Sequence, residues 1–279
     1  MLAKLMKYEL KSGYILFPCL FLALLVLYGF GLFTKALNLT ILTGILTAFL
    51  VIIGIGICLM AFIFVAIRYY KSVFGAEGYL TQTLPVSSGK IILSKFVLGY
   101  AAILLSYVIA ILTIAATCTL SGGNPMEWFK GANPNLTASL FGFILFSVLF
   151  KTAAVVGEIF LAITLAHTRP FAKNSILFSV AFFIVFSLTV GLLEIIGIIF
   201  IPAGLHFTQS SAHFAWEGML PYIQKGIYEA NVQANSASMS IKQSFNGVTI
   251  GFGSYVTDCL SAIVLLLLSK KLLAHKTSI

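Results

Sequence analysis

Residues 41–67 read ILTGILTAFLVIIGIGICLMAFIFVAI, without a single Asp, Glu, Lys or Arg. At about 1.5 Å per residue, a helix of this length covers the hydrocarbon core of a bilayer, about 30 Å thick. The run does not alternate with period two, so it does not read as a strand of a transmembrane barrel. Lipid offers backbone amides no partner, which leaves the α-helix. Five more runs carry the same reading: 13–34, 96–120, 140–166, 175–202 and 248–269. The expected fold is therefore all-α: a polytopic membrane protein whose six transmembrane helices make one domain over residues 1–279.

Composition points the same way. Hydrophobic residues are 60% of the chain and charged residues 9%, with a mean hydropathy of +1.06. A soluble surface normally needs about 25% charged residues, so a soluble globular fold is excluded, and so is disorder. The net charge of +9 does not imply nucleic acid, because the basic residues cluster at the ends of apolar runs. Cys19, Cys58, Cys118 and Cys259 all lie inside such runs, with no CxxC pair, and read as small buried apolar residues.

The same basic residues orient the chain. With the N-terminus inside, Lys4, Lys7, Lys11, Arg68, Lys71, Lys90, Lys95, Arg169, Lys173, Lys270, Lys271 and Lys276 face the cytoplasm. Only Lys35, Lys130, Lys225 and Lys242 face out, and Lys151 falls within a span. An excess of twelve over four places both termini in the cytoplasm. Lys4, Lys7 and Lys11 share one helical face, with Leu2, Leu5, Met6 and Leu10 largely on another. Residues 1–12 thus read as an amphipathic helix lying at the inner interface. The first run is too long for a signal-peptide core and lacks a cleavage site. The fifth run holds Gly191, Glu194, Gly197 and Pro202, and reads equally well as one straight helix or as a helix broken before an outer-interface segment. A loop at 68–95 faces in, and an outer segment covers 203–247.

Catalytic signatures are weak. There is no GxxxxGK[ST] loop, and Ser88-Gly89-Lys90 lacks the upstream glycine. Gly251-Phe252-Gly253-Ser254 has no histidine in any span to act as its base. His213 and Glu217 are four apart, as metal ligands on a helix would be; His206 is seven residues from His213, and a solvated outer helix is the expected reading. The intramembrane charges carry more. Lys151 and Glu158 lie on one face two turns apart in the fourth span, with Glu194 in the fifth and Asp258 in the sixth. A charge at mid-bilayer costs on the order of 3 kcal/mol, so these groups face protein or water. Two readings stay open: pairing within the bundle, with Lys151 met by a carboxylate of a neighbouring helix, or a polar transport path or proton relay.

The inner loop is the most specific stretch. Pro85 divides it, and Ser87 or Ser88 is placed to cap the helix entering the third span. Phe74, Tyr79 and Leu80 are apolar groups on a segment too short for a core of its own, which reads either as a contact surface or as packing of the segment under its own bundle.

The segment from Phe74 to Lys95, with Gly78-Tyr79-Leu80 and Thr83-Leu84-Pro85-Val86-Ser87, resembles the membrane subunit of bacterial type-2 ABC transporters. The Lys7-Tyr8-Glu9-Leu10-Lys11 start, the six-span layout and the outer segment before the last span are similar to that family as well. The resemblance implies a non-catalytic permease in the bacterial cytoplasmic membrane, an ATP-driven exporter of an amphipathic peptide or lipophilic molecule. It implies a separate ABC ATPase subunit that holds ATP and Mg, with no cofactor, metal or catalytic residue in this chain. It also implies a second copy of the chain or a paralogue as partner, within the lipid bilayer. A coupling helix would fall on about residues 70–84, with Phe74, Glu77, Tyr79 and Leu80 as ATPase contacts. The rival expectation is a secondary transporter or channel driven by an ion gradient through Lys151, Glu158 and Glu194; a third is a membrane scaffold. Secondary transporters commonly show internal repeats, and none is evident.

Overall fold

The computed structural model describes residues 16–75, 78, 88–124, 134–207, 212–216, 219–221, 224 and 248–275. The expected interfacial helix, with Lys4, Lys7 and Lys11, lies outside them, as do Glu77, Tyr79 and Leu80.

The described chain is mostly helical: α1 (Leu16–Ala36), α2 (Thr40–Val73), α3 (Ser88–Leu120), α4 (Pro134–Ala166), α5 (Ser175–Phe200) and α6 (Gly253–His275). Five of these, α1 to α5, are long and apolar enough to cross a membrane. The protein is thus a membrane-embedded, polytopic helical protein. The last apolar run departs from expectation at its start. Val248–Gly251 is a strand, and the helix begins only at Gly253. That leaves residues 253–269 before Lys270, a length of about 25 Å and short of the hydrocarbon core.

Two further differences concern ends. The helix of 34 residues, α2, is about 51 Å long, well beyond bilayer thickness. It runs on to Val73, and α3 already begins at Ser88, so much of the expected 68–95 loop is helix. The fifth run is one continuous helix that ends at Phe200, two residues before Pro202.

The chain divides into two compact units: residues 1–130, 156–183 and 265–279, and residues 131–155 and 184–264. In the first, α1, α2 and α3 pack around Leu24, Leu50, Ile57, Ala61, Ile109 and Leu120. Small residues set the approach of these helices: the Cβ position of Gly54 meets Thr113 at 3.0 Å and that of Gly99 meets Val65 at 3.0 Å. The C-terminal part of α4 is buried at every position from Val156 to Thr164. A helix covered all round is a central element, so the unit is built about it.

The second unit contains a three-stranded antiparallel sheet in the order β2-β1-β3, from β1 (Gly204–Phe207), β2 (Ala212–Ala215) and β3 (Val248–Gly251). The chain remains mostly helical, as expected, and this small sheet is an addition that the sequence reading did not foresee. Strands pair where short apolar and polar residues alternate, as in Leu205-His206 and His213-Phe214. Near the sheet, the end of α5 and the start of α6 are in backbone contact. A Cβ on Gly253 would lie 1.8 Å from the Gly197 carbonyl oxygen, and one on Gly251 would lie 2.8 Å from that of Ile198. The glycines of the Gly-Phe-Gly-Ser stretch therefore serve packing.

Gly253→Ala forces this backbone contact apart and should destabilise the protein by about 2 kcal/mol or more. Gly29 has nothing within 4 Å of its Cβ position, and Gly29→Ala should be neutral or stabilising by up to about 1 kcal/mol. Thermal melting of the two variants in detergent separates them; equal melting temperatures would reject the contact.

Candidate functional site

Arg68 and Lys71 close α2, Lys90 and Lys95 open α3, Lys270 and Lys271 close α6, and Arg169 and Lys173 follow α4. Three contacts bring these segments to one end of the first unit. The Lys95 ammonium donates to the Ser72 hydroxyl. The aliphatic stem of Lys270 lies 3.2 Å from the Cβ position of Gly89. Tyr70 and Phe74, at the end of α2, meet His167 at the end of α4. The result is a strongly basic end on which Lys71, Lys90, Arg169, Lys173, Lys270 and Lys271 are exposed. Lys95 behaves differently: it is buried, and nothing in its sequence context distinguishes it from its exposed neighbours.

The loop that follows α2 has a rigid root. Tyr69 is buried, and its ring stacks on Phe160 of α4 with centroids 4.0 Å apart and planes 11° apart. Its hydroxyl lies 2.8 Å from Thr164 Oγ1. Thr164 already uses its only proton on the Phe160 carbonyl, at 2.7 Å, so Tyr69 is the donor. One turn on, Phe74 stacks on His167 at 4.3 Å. The His167 Nδ1–H in turn donates to the Ile163 carbonyl, 2.7 Å away. Of the four expected ATPase contacts, Phe74 is the one among the described residues, and it joins the loop to the central helix. The sequence singled out Phe74 as an apolar group of the inner loop; the partners of Tyr69 and Phe74 at the end of α4 were not visible in it.

The second unit holds the charge pair. Lys151 of α4 donates to Glu194 Oε1 of α5, the bundle pairing that the sequence left open against a transport path. Glu194 is six residues from the end of α5, about 9 Å along the axis, while Lys151 lies near the middle of α4. The Lys151 side chain keeps 44% of its exposure and Glu194 keeps 18%. The pair is therefore not sealed from its surroundings, and its contribution stays modest. Glu158, on the same helix as Lys151, is 1% exposed and belongs to the first unit; Asp258 is 3% exposed and belongs to the second. Carboxylates so deeply buried persist only with partners or a proton.

The expected outer helix around His213 is a strand instead. Pairing of β1 with β2 places His206 directly opposite His213, with ring centroids 5.2 Å apart. On a helix a seven-residue separation leaves two residues on one face but about 10 Å apart, whereas a hairpin brings its two strands side by side. Leu205, Phe214 and Ile250 share the opposite face of the sheet. Phe214 and Trp216 are exposed and meet edge to face. Glu217 lies outside the described residues.

A double-mutant cycle tests the ion pair. Lys151→Ala and Glu194→Gln should each lower the melting temperature, and the double variant should show coupling on the order of 1 kcal/mol. Lys151→Arg should retain most of the stability. Strict additivity would mean that the pair contributes nothing to the fold.

No protein-family model matches this chain, and no curated protein or solved structure is found to match it.

Proposed function

We propose that the chain is the transmembrane subunit of an ATP-driven exporter of the ABC type. It crosses the bacterial cytoplasmic membrane six times, α6 included, with both termini in the cytoplasm. A partner ATPase that binds ATP and Mg docks on the loop after α2. A second copy, or a paralogue, completes the permease. The cargo is an amphipathic peptide or a lipophilic molecule.

The observation that carries this reading is the root of the loop. A coupling element must pass a push from a docked ATPase into the helices, and a floppy attachment would dissipate it. Tyr69 on Phe160 and Phe74 on His167 fasten the loop to α4, the central helix of its unit. The gathered basic end is what the positive-inside rule expects of a cytoplasmic face. A cleft of about 280 Å³ between α1, α2 and α3 supports the cargo class. Leu24, Leu50 and Ile109 line it, with the Tyr28–Thr119 hydroxyl pair, 3.1 Å apart, at its edge. That volume is near the lower bound for ligand sites, about 300 Å³, and suits part of an acyl chain or one large apolar side chain. The ion-driven rival has less support, because Lys151 and Glu194 neutralise each other.

Phe74→Ala combined with Tyr79→Ala should release the ATPase in copurification or abolish cargo-stimulated hydrolysis, while the fold loses only the Phe74–His167 stack, about 1 kcal/mol, and the spans stay assembled. Interface anchors of this kind are worth about 2 kcal/mol each. Lys35→Ala, at the far end of α1, should do neither. Unchanged copurification and hydrolysis in the double variant would refute the coupling role. Transport by the chain alone in vesicles carrying a proton or sodium gradient would favour the rival.

Topology has its own check. In a background without the four cysteines, Trp216→Cys should react with an impermeant thiol reagent on intact cells, and Lys71→Cys should not. The reverse pattern would invert the orientation.

A further inference from the structure

We infer that His206 and His213 form a binding site for a divalent transition-metal ion, of which Zn2+ fits best. The inference does not depend on the transport reading. The two residues are direct cross-strand partners in the β1–β2 ladder, so their side chains leave the same face of the sheet. Their ring centroids are 5.2 Å apart, with the planes inclined at 55°. A metal ion lies about 2.0–2.1 Å from a ligating imidazole nitrogen, and so about 3.2 Å from the ring centroid. Two imidazoles at the tetrahedral angle of about 109° then have centroids about 5.2 Å apart, the observed spacing. A square-planar ion, with cis ligands at about 90°, would draw them to about 4.5 Å. The spacing is one that a tetrahedral ion bridges once each ring turns a nitrogen toward it, with the strands left in place.

The scaffold suits the task. The ladder fixes both Cα positions on paired strands, and β1 is held on its other edge by β3, with Thr249 in register with His206. Little side-chain ordering remains to be done when the ion binds. Among the described residues no group of three His, Cys, Asp or Glu gathers for a metal. The pair supplies two of the four ligands that a tetrahedral ion takes. Imidazole also binds Cu2+, more tightly by the usual order of divalent affinities, so Cu2+ is a usable probe of the same two nitrogens.

The test uses the full chain without an affinity tag, stripped with EDTA and held in detergent. Calorimetric titration with Zn2+ should show one equivalent bound. His206→Gln and His213→Gln should each weaken that binding at least tenfold, and His275→Gln should leave it unchanged. With one equivalent of Cu2+, pulsed electron paramagnetic resonance should detect two equatorial imidazoles in wild type and one in each single variant. Melting curves in EDTA verify that the sheet persists; where a Gln variant melts early, the Asn variant at the same position replaces it. One imidazole on Cu2+ in the wild-type protein, or Zn2+ binding equal in wild type and both variants, overturns the site.

Discussion

A hydrocarbon solvent gives backbone amides nothing to bond with, and every element of this protein answers to that constraint. Among the described residues, five helices long and apolar enough to span, α1 to α5, satisfy their amides internally. Among the described residues, the strands lie between the end of α5 and the start of α6, from Gly204 on. The same solvent removes the usual hydrophobic drive between helices, so association falls to close packing and a few polar contacts. Gly54 on Thr113, Gly99 on Val65 and Gly253 on Gly197 are the close packing. The hydroxyl and ammonium contacts of Tyr69, Tyr28, Lys95 and Lys151 are the polar part.

These polar contacts lie mostly toward the helix ends, which is where they cost least. Lys95 and Ser72 meet at the basic end of the first unit, close to where a headgroup region would begin. Lys151 and Glu194 meet about two turns from the end of α5. Half-exposure lets the lysine stem lie in apolar surroundings while its charge stays near polar ones, which lowers the penalty of a charge in a span. Only Glu158 is sunk in the centre of a helix buried on all sides.

The loop root and the sheet show two ways of holding a segment still. Aromatic stacking ties the segment after α2 to a central helix through Phe160 and His167. On the other unit, a ladder of backbone hydrogen bonds sets His206 against His213, while Leu205, Phe214 and Ile250 turn to the opposite face. In both, rigid elements position the side chains, and a bound partner or ion would have little left to order.

The sequence by itself determined the solvent and the class of fold. Runs such as 41–67 carry their hydropathy locally, and helix formation in lipid needs nothing else, so α1 to α5 fell close to their expected places. The clustering of basic residues beside those runs was equally local. What only the tertiary structure decided was partnership. Lys151 had Glu158 two turns away on its own helix, yet it pairs with Glu194, because a neighbouring helix brings that carboxylate within reach. Lys95 looked like one more rim charge until α2 laid Ser72 beside it. Val248–Gly251 looked like the first turn of a helix, but antiparallel partners at β1 claimed its amides instead. His206 and His213, unremarkable at a spacing of seven, became neighbours when the chain turned back on itself. Periodicity is a property of the nearest residues along the chain; pairing depends on residues tens of positions away, or across a turn, whose approach no local pattern encodes.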